Sequence, residues 1–297
     1  MQVIQVGPAT FYIDLPSIIG VYLFADHTCC LIDTGDQIEQ IKQVNSYLHE
    51  HGYLVKAVLS THFHSDHCAG HGWLQQQGPC AVYASPFEAA VLENPELSGF
   101  SLYTAAPLKV LNNRFLVAPS CQVTHRVNSG IHMINNQQFR AVALPGHTFG
   151  QLGWETPDGV CFVGDSLIAP HILKANKMNY IADVGMHINT LNGLKEAGIT
   201  LAVAGHGGLL DDYLSVITAN QQNVEIWLSS INEFIDGRSL SIEDVVAELY
   251  NRFQLPLNHS QYFTVRSTAS AYLSYLYQQR QALTQLNQGR LTFIGKR

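Results

Sequence analysis

The chain has 297 residues, 46% of them hydrophobic and only 13% charged, and its formal net charge is −7. This length allows one large domain or two ordinary ones, and the acidic balance argues against a nucleic-acid binder, in which basic residues supply most of the affinity. No apolar run approaches the ~20 residues that a bilayer crossing needs. The N-terminus has neither a basic start nor an uninterrupted apolar stretch, so we expect a cytoplasmic protein without a secretory signal.

The first half of the sequence alternates predicted strands and helices. Residues 28–35 predict a buried strand, residues 36–52 an amphipathic helix, and residues 53–60 the next strand. Asp36 and Glu39 have the spacing of a capping box at the start of that helix. Ligand sites of α/β proteins tend to lie after the carboxyl ends of strands, so the segment that follows is the first candidate site.

Four predicted strands end in residues that can bind a cation. The strand over residues 53–60 leads directly into "THFHSDH", residues 61–67. Three later strands, which apolar runs and turn residues predict, lead into His147, Asp165 and His206. Potential metal ligands thus recur at the ends of four separate strands.

Residues 94–126 have little periodicity. They follow a short helix that is predicted near Pro86–Glu93. Long irregular segments within a compact domain often have a functional role. We therefore predict that residues 94–126 form loops that cover a site.

The pattern becomes helical in the last third of the chain. Three helices and a closing β-ribbon are predicted over residues 209–237, 241–253, 264–283 and 289–297. Ser241 and Asp244 have the spacing that caps the second of these helices. We divide the chain into a catalytic domain over residues 1–212 and a helical, winged-helix-like appendage over residues 213–297.

The most specific short pattern is H-x-H-x-D-H. Two histidines separated by one residue on an extended segment point to the same side, so His62 and His64 can bind one cation together. Asp66 and His67 lie beyond the turn, where they can reach a second cation. Neutral imidazole and carboxylate are ligands that Zn²⁺ accepts. The spacing therefore favours a metal site over a surface histidine cluster.

Five short motifs follow one another along the first two thirds of the chain. They are LIDTG (31–35), THFHSDH (61–67), PGHT (145–148), VGDS (163–166) and AGHG (204–207). In these motifs and their order the chain resembles the metallo-β-lactamase superfamily, and within it the pattern is most similar to glyoxalase II-like hydrolases. The resemblance implies an α/β (α+β) fold, an αββα sandwich with metals in a shallow groove at one edge of its two sheets.

The resemblance also implies two Zn²⁺ per chain, with Fe or Mn as possible alternatives. The ligands of the first ion would be His62, His64 and His147. Those of the second would be Asp66, His67 and His206. Asp165 would bridge both ions, and Asp33 would be a buried support for the ligand loop.

These ligands predict a dinuclear zinc-dependent hydrolase of a small thioester or ester. Two metal ions would share a water and lower its pKa from ~15.7 toward neutrality, and the metal-bridging hydroxide would attack the substrate carbonyl. Asp66 and Asp165 are the catalytic residues of this scheme. A lactonase, an iron-dependent persulfide dioxygenase and a non-catalytic regulator that binds a ligand or nucleic acid remain alternatives. The expected partner is a small-molecule substrate, with no nucleic acid and no membrane, and a homodimer is possible.

Several further residues are tempting candidates. Tyr180 and His187 follow Asp165 where substrate would be met, and either could donate a hydrogen bond to a developing oxyanion, although packing roles suit them equally. Cys68 is interpreted as a small buried hydrophobe, and His71 as an imidazole outside the ligand set. The six cysteines include no C-x-x-C pair, and we expect reduced, mostly buried thiols.

Overall fold

Two β-sheets form the centre of the protein, of which the computed structural model describes residues 1–175 and 178–296. Within these residues the first sheet has seven strands in chain order. They are β1 (Gln2–Gln5), β2 (Thr10–Asp14), β3 (Ile19–Leu23), β4 (Thr28–Ile32), β5 (Leu54–Leu59), β6 (Ala81–Ala84) and β7 (His125–Arg126). Neighbours are antiparallel from β1 to β4 and parallel from β4 to β7.

The second sheet has six strands in the described part of the chain, and they too lie side by side in sequence order. They are β8 (Gly130–Ile134), β9 (Gln137–Ala143), β10 (Leu152–Glu155), β11 (Val160–Phe162), β12 (Leu201–Ala204) and β13 (Gly208–Leu209). Its pairs are antiparallel except for β11 and β12, which run parallel.

Helices cover the outer faces of both sheets. The earlier ones are α1 (Ile38–Glu50), α2 (Ser65–Cys68), α3 (His71–Gln77), α4 (Pro86–Glu93), α5 (Glu96–Tyr103) and α6 (Pro170–Ala175). The later ones are α7 (Val184–Glu196), α8 (Tyr213–Ile235), α9 (Ile242–Phe253) and α10 (His259–Gln278). A hairpin of β14 (Ala282–Asn287) and β15 (Arg290–Gly295) ends the chain. None of the described helices combines the length and hydropathy that a bilayer crossing requires.

The buried apolar residues confirm the predicted αββα sandwich. One cluster lies between the sheets, where Leu59 of the first sheet packs with Phe139 and Trp154 of the second. A second cluster joins the first sheet to α1, whose Ile41, Val44 and Leu48 are buried. A third joins the second sheet to the later helices. The layer order is therefore helices, sheet, sheet, helices.

The start of α1 differs from the prediction. The helix begins at Ile38, its N-cap is Gln37, and no side chain caps it. Asp36 therefore lies one residue too early, and Glu39 occupies the second helical position, so the predicted capping box is wrong. The one predicted for α9 is present, because Ser241 and Asp244 each bond the other's backbone N–H.

The last predicted helix also ends earlier than its pattern suggests. α10 stops at Gln278, Arg280 has a left-handed φ of 58°, and the chain continues as β14. That strand pairs with β15 along its whole length through a tight turn at Gln288 and Gly289, whose φ values are 46° and 75°. Pairing with a strand further along the chain thus overrides the helical pattern of residues 279–283.

The third cluster contains residues from both sides of position 212. Leu144, Val163 and Leu191 pack in it together with Ile231 of α8 and Leu273 of α10. The C-terminal helices therefore complete the layer that covers the second sheet.

The cysteines are buried and free, as expected. All six lie in the described part of the chain and form no disulfide. Burial raises the pKa of the Cys29, Cys121 and Cys161 thiols to about 12, so at neutral pH they stay protonated.

Candidate metal centre

The structure brings the seven predicted ligands together at one edge of the sandwich. β5 leads into the loop that carries His62 and His64, and α2, which follows, carries Asp66 and His67. The other three ligands follow strands of the second sheet. They are His147, Asp165 and His206. Backbone hydrogen bonds join these loops, for example from the Gly205 N–H to the Gly164 carbonyl (2.9 Å).

The ligand atoms form two adjoining groups. The atoms of the first group lie within 4.8 Å of one another, as do those of the second. The first group is His62, His64 and His147. The second is Asp66, His67 and His206. Asp165 lies between them, with Oδ1 3.4 Å from His67 Nε2, and Oδ2 3.4 Å from His206 Nε2 and 3.6 Å from His147 Nε2.

Asp33 orients two of the histidines. Its Oδ2 accepts a hydrogen bond from His67 Nδ1 (2.9 Å), and the carboxylate also accepts the backbone N–H (2.7 Å) and hydroxyl (2.6 Å) of Thr61. Because the Thr61 hydroxyl donates its proton to Asp33, it accepts one from His62 Nδ1, 2.9 Å away. Both rings therefore carry their proton on Nδ1 and keep the Nε2 lone pair for the centre. Asp33 has the buried, supporting position predicted for it.

Backbone carbonyls orient two more imidazoles. His147 Nδ1 donates to the Tyr180 carbonyl (2.8 Å), and His206 Nδ1 donates to the Pro16 carbonyl (2.6 Å). A carbonyl can only accept, so each Nε2 again keeps its lone pair. His64 presents Nδ1 instead, 2.8 Å from His147 Nε2.

The polar atoms of this centre fit a bound cation. His62 Nε2, His67 Nε2 and Asp165 Oδ1 are buried and have no hydrogen-bond partner in the described part of the chain. Such atoms are costly unless something pairs with them. Burial lowers the pKa of His64 to about 4, which favours the neutral imidazole that metals bind. The Asp165 carboxylate raises the pKa of His206 to about 10, so the acidic side of the centre favours positive charge, which a bound cation would supply in place of the proton on Nε2.

The sequence patterns missed Glu88, which ties the two ligand loops together. This α4 residue is fully buried, and its Oε2 accepts the Phe63 N–H (2.8 Å), while Oε1 accepts the Thr148 hydroxyl (2.7 Å) and the Gly150 N–H (2.9 Å). Burial raises its pKa to about 7. A Cβ at Gly150 would lie 2.4 Å from Ser85 Oγ, so glycine permits this approach. A glutamate followed by four apolar residues on a short helix was the available signal.

Replacing Glu88 with glutamine is expected to lower the free energy of unfolding by ~1–3 kcal/mol, because the amide nitrogen must face one of the three donors. Metal affinity is expected to fall ~10–100-fold, as for other residues that position ligands. Urea unfolding and zinc titration measure the two effects. Glu96→Gln, at an exposed position of α5, is the control. Wild-type stability and affinity in Glu88→Gln would contradict the role of Glu88.

The two predicted substrate contacts lie in different places. The Tyr180 ring lies 5.2 Å from the His64 ring, measured between centroids, beside the metal centre. His187 is buried on α7 behind the His147 loop, where a Cβ at Gly146 would come within 2.4 Å of its Cα. Burial lowers the pKa of His187 to about 4. The structure thus brings Tyr180, but not His187, to the face of the centre.

Cys68 and His71 lie outside the two ligand groups. The Cys68 thiol packs in the core of the first sheet and donates to the Phe63 carbonyl (3.1 Å). His71 is buried, and its Nδ1 pairs with Thr34 Oγ1 (2.8 Å). Both placements agree with the roles predicted from the sequence.

Residues 94–126 cover the centre, but they are more regular than predicted. They contain α5 and a 3-10 turn at Lys109–Leu111, and they wall a cavity of about 140 Å³ beside His64 and Asp66. Asn113 Nδ2 donates to Ser260 Oγ of α10 (3.2 Å), so the segment also contacts the C-terminal helices.

The sequence matches a family model described as the metallo-beta-lactamase superfamily over residues 17–214. Two curated relatives are named hydroxyacylglutathione hydrolase. That of Vibrio cholerae serotype O1 is 28% identical over 145 residues, which are 48% of this chain and 44% of the relative. That of Thiobacillus denitrificans is 27% identical over 161 residues, which are 52% of this chain and 49% of the relative. The chain thus spans about half the length of the curated relatives it matches.

Solved structures with low sequence identity share the fold. A beta-lactamase domain protein from Burkholderia ambifaria aligns with a TM-score of 0.81 at 16% identity, over 99% of this chain and 94% of that one. A metallo-beta-lactamase family protein from Thermus thermophilus aligns with a TM-score of 0.73 at 17% identity, over 99% of this chain and 97% of that one. A subclass B3 metallo-beta-lactamase of Bradyrhizobium japonicum covers 77% of this chain and 94% of its own, with a TM-score of 0.61 at 18% identity.

Proposed function

Because the chain belongs to the metallo-β-lactamase superfamily, we propose that it is a dinuclear, zinc-dependent hydrolase of a small thioester or ester. The convergence of five imidazoles and two carboxylates carries this proposal. Four of the imidazoles are fixed by their Nδ1 hydrogen bonds so that Nε2 is available at the centre. Fixed, neutral imidazoles together with carboxylates are the donor set that zinc accepts.

In this proposal each ligand group holds one ion. The first ion would be held by His62, His64 and His147. The second would be held by Asp66, His67 and His206. Asp165 Oδ2 lies within 3.6 Å of a histidine Nε2 in each group, and this carboxylate would bind both ions. When bound, such a pair supplies Lewis acidity and lowers the pKa of water from ~15.7 toward neutrality.

The two carboxylates have different surroundings. The Asp165 side chain is only 7% exposed and is enclosed by histidines, whereas the Asp66 side chain is 39% exposed and lines the cavity. Asp66 Oδ2 also accepts a hydrogen bond from Ser17 Oγ (3.4 Å). Asp66 is therefore the carboxylate that can receive or return a proton at the reacting group, while Asp165 fixes the histidines around it.

Thioester chemistry is supported by the name of the curated relatives, hydroxyacylglutathione hydrolase. The hydrolysed bond is the acyl–sulfur bond in a thioester and the acyl–oxygen bond in an ester, and a lactone contains the same acyl–oxygen bond. The cavity beside the centre is small, and apart from the proposed ligands His64 and Asp66 the described residues of its lining include no ionisable side chain except Tyr180, which also suits a lactone. Lactonase activity is therefore the second candidate.

We further propose that residues 1–212 carry the chemistry and that residues 213–297 form a winged-helix-like unit that completes the cavity. Thr264 of α10 lies in the cavity wall, which supports this division of roles. The six buried, unpaired thiols support a reducing compartment such as the cytoplasm.

The test is metal analysis combined with an acyl-substrate panel. The purified full chain is expected to bind two zinc ions and to hydrolyse thioesters or esters, and a chelator should remove both the metal and the activity until zinc is restored. Failure of the zinc-, iron- and manganese-loaded protein to hydrolyse any thioester, ester or lactone would overturn the hydrolase proposal. Oxygen uptake with a persulfide in the iron-loaded protein would replace it with the dioxygenase.

A further inference from the structure

A cavity lies beside the metal centre. Its volume is about 140 Å³, and one wall is the segment that contains α5 and Phe115. The opposite side is formed by Tyr180 and by Thr264 of α10. His64 and Asp66 form its floor, so any group bound there lies next to the reacting bond. A cavity of about 150 Å³ in another protein holds a benzene molecule.

The wall of this cavity is apolar in effect. Two leucines and three aromatic side chains contribute carbon atoms, namely Leu102, Leu116, Phe63, Phe115 and Tyr180. Three hydroxyls in the wall bond backbone carbonyls instead of facing a ligand. These bonds run from Ser98 Oγ to Leu116 O (2.7 Å), from Ser101 Oγ to Ser98 O (2.7 Å) and from Thr264 Oγ1 to Gln261 O (3.0 Å). Among the described residues of the lining, none is a lysine or arginine. An anionic substituent would therefore find no counter-charge in the part of the wall that lies away from the metal ligands.

One polar atom in the wall has no partner. Ser65 lies between His64 and Asp66, is 2% exposed, and its Oγ has no hydrogen bond within the described chain. A buried hydroxyl without a partner is costly. Ser65 can therefore offer a hydrogen bond to a polar atom that enters the cavity beside the metal ligands.

We propose that this cavity binds an uncharged apolar acyl group about the size of a benzene ring, and that Ser65 hydrogen-bonds a polar substituent close to the hydrolysed bond. This inference rests on the proposed hydrolase function. It makes the preferred substrate a thioester or ester of a hydrophobic acid. Residues Leu102, Phe115 and Ser65 then determine specificity.

The first experiment varies the acyl group while an uncharged thiol leaving group is kept constant. kcat/KM is expected to rise about fourfold for each methylene from acetyl to pentanoyl, because a buried CH₂ is worth ~0.8 kcal/mol. Phenylacetyl should exceed the similarly long but anionic succinyl at least ~10-fold. Ser101→Trp, which places a ring at the cavity mouth, should abolish this rise of kcat/KM with acyl length. Phe100→Trp, on an exposed residue of α5 outside the lining, should leave it unchanged. A flat series in the wild type overturns the inference.

The second experiment tests Ser65 with a matched pair of substrates, the mandeloyl and phenylacetyl thioesters, which differ by one hydroxyl. Ser65→Ala is expected to lower kcat/KM about 10-fold for mandeloyl and much less for phenylacetyl, with the zinc content unchanged. Equal losses for both substrates would show that Ser65 has only a structural role.

A binding measurement separates this inference from the hydrolase proposal. Phenylacetamide is a suitable probe because it is uncharged and, unlike a carboxylic acid, does not bind metal through a carboxylate. Calorimetry should detect saturable binding of phenylacetamide to the full chain. Ser101→Trp should remove this binding. Such binding without any hydrolysis would leave the cavity inference standing and overturn the hydrolase. Hydrolysis without phenylacetamide binding and without acyl preference would do the reverse.

Discussion

Replacing Asp165 with alanine is expected to remove the bridging ligand and to lower thioester hydrolysis by more than ~100-fold. Loss of a residue that only positions a ligand already costs ~10–100-fold, and Asp165 has an oxygen within 3.4–3.6 Å of an Nε2 in each ligand group. Its removal also takes away the carboxylate that contributes most to the raised pKa of His206. Metal content after gel filtration and kcat/KM are the measurements. Asp165→Asn, which keeps the shape and loses the charge, should be similarly defective.

The zinc-dependent stability of the protein gives a second readout for Asp165→Ala that does not depend on activity. Zinc at 1,000 times its Kd should stabilise the wild-type protein by ~4 kcal/mol for each ion bound, and this zinc-dependent rise in Tm should shrink strongly in Asp165→Ala. Asp211→Ala, at an exposed position after β13, should retain the full effect. If Asp165→Ala bound two zinc ions and kept its turnover, Asp165 would not be a bridging ligand.

The second large effect is expected from truncation. A chain of residues 1–212 should fail to form a cooperatively folded protein, because it would expose the apolar face of the second sheet that α8 and α10 cover. Circular dichroism, urea unfolding and hydrogen exchange of the purified fragment are the measurements. A fragment that unfolds cooperatively and binds zinc with wild-type stoichiometry would show instead that residues 1–212 are an independent domain.

A graded form of the same test uses the intact chain. Ile231 of α8 is fully buried in the shared cluster, whereas Ile226 on the same helix is 51% exposed. Ile231→Ala is expected to lower the free energy of unfolding by ~2–5 kcal/mol through the cavity it leaves. Ile226→Ala should change it by no more than ~0.5 kcal/mol. Equal effects would mean that α8 contributes little to the core.

The alternating strands and helices and the region of the site could be predicted from the sequence because their signals are local, whereas the αββα layers were implied by the resemblance of five short motifs to a known family. In H-x-H-x-D-H four candidate ligands lie within six positions, and each later candidate directly follows an apolar run. The atoms that orient the imidazoles could not be predicted from the sequence. The acceptors for His147 and His206 are the backbone carbonyls of Tyr180 and Pro16, and every residue has a carbonyl, so no residue type marks them.

Other features were missed because they depend on contacts between distant segments. α5 packs through Ser98, Gly99 and Leu102, and such a mixed face has no apolar periodicity to detect. Glu88 has its role because it contacts two loops that follow other strands. Residues 282–287 form β14 because they pair with β15. The amphipathic pattern of α8 predicted a buried face, but it carried no information about the surface that face would cover.

The buried thiols affect how the protein acquires its metal. In the native state their raised pKa and burial withhold them from metals, because the thiolate is the form that binds. In the unfolded chain the same six cysteines regain ordinary acidity and, with 14 histidines, compete for zinc. Excess zinc added before refolding should therefore trap misfolded chelates, whereas zinc added afterwards should reach the intended ligands. The order of folding and metallation is thus set by the cysteines of the core.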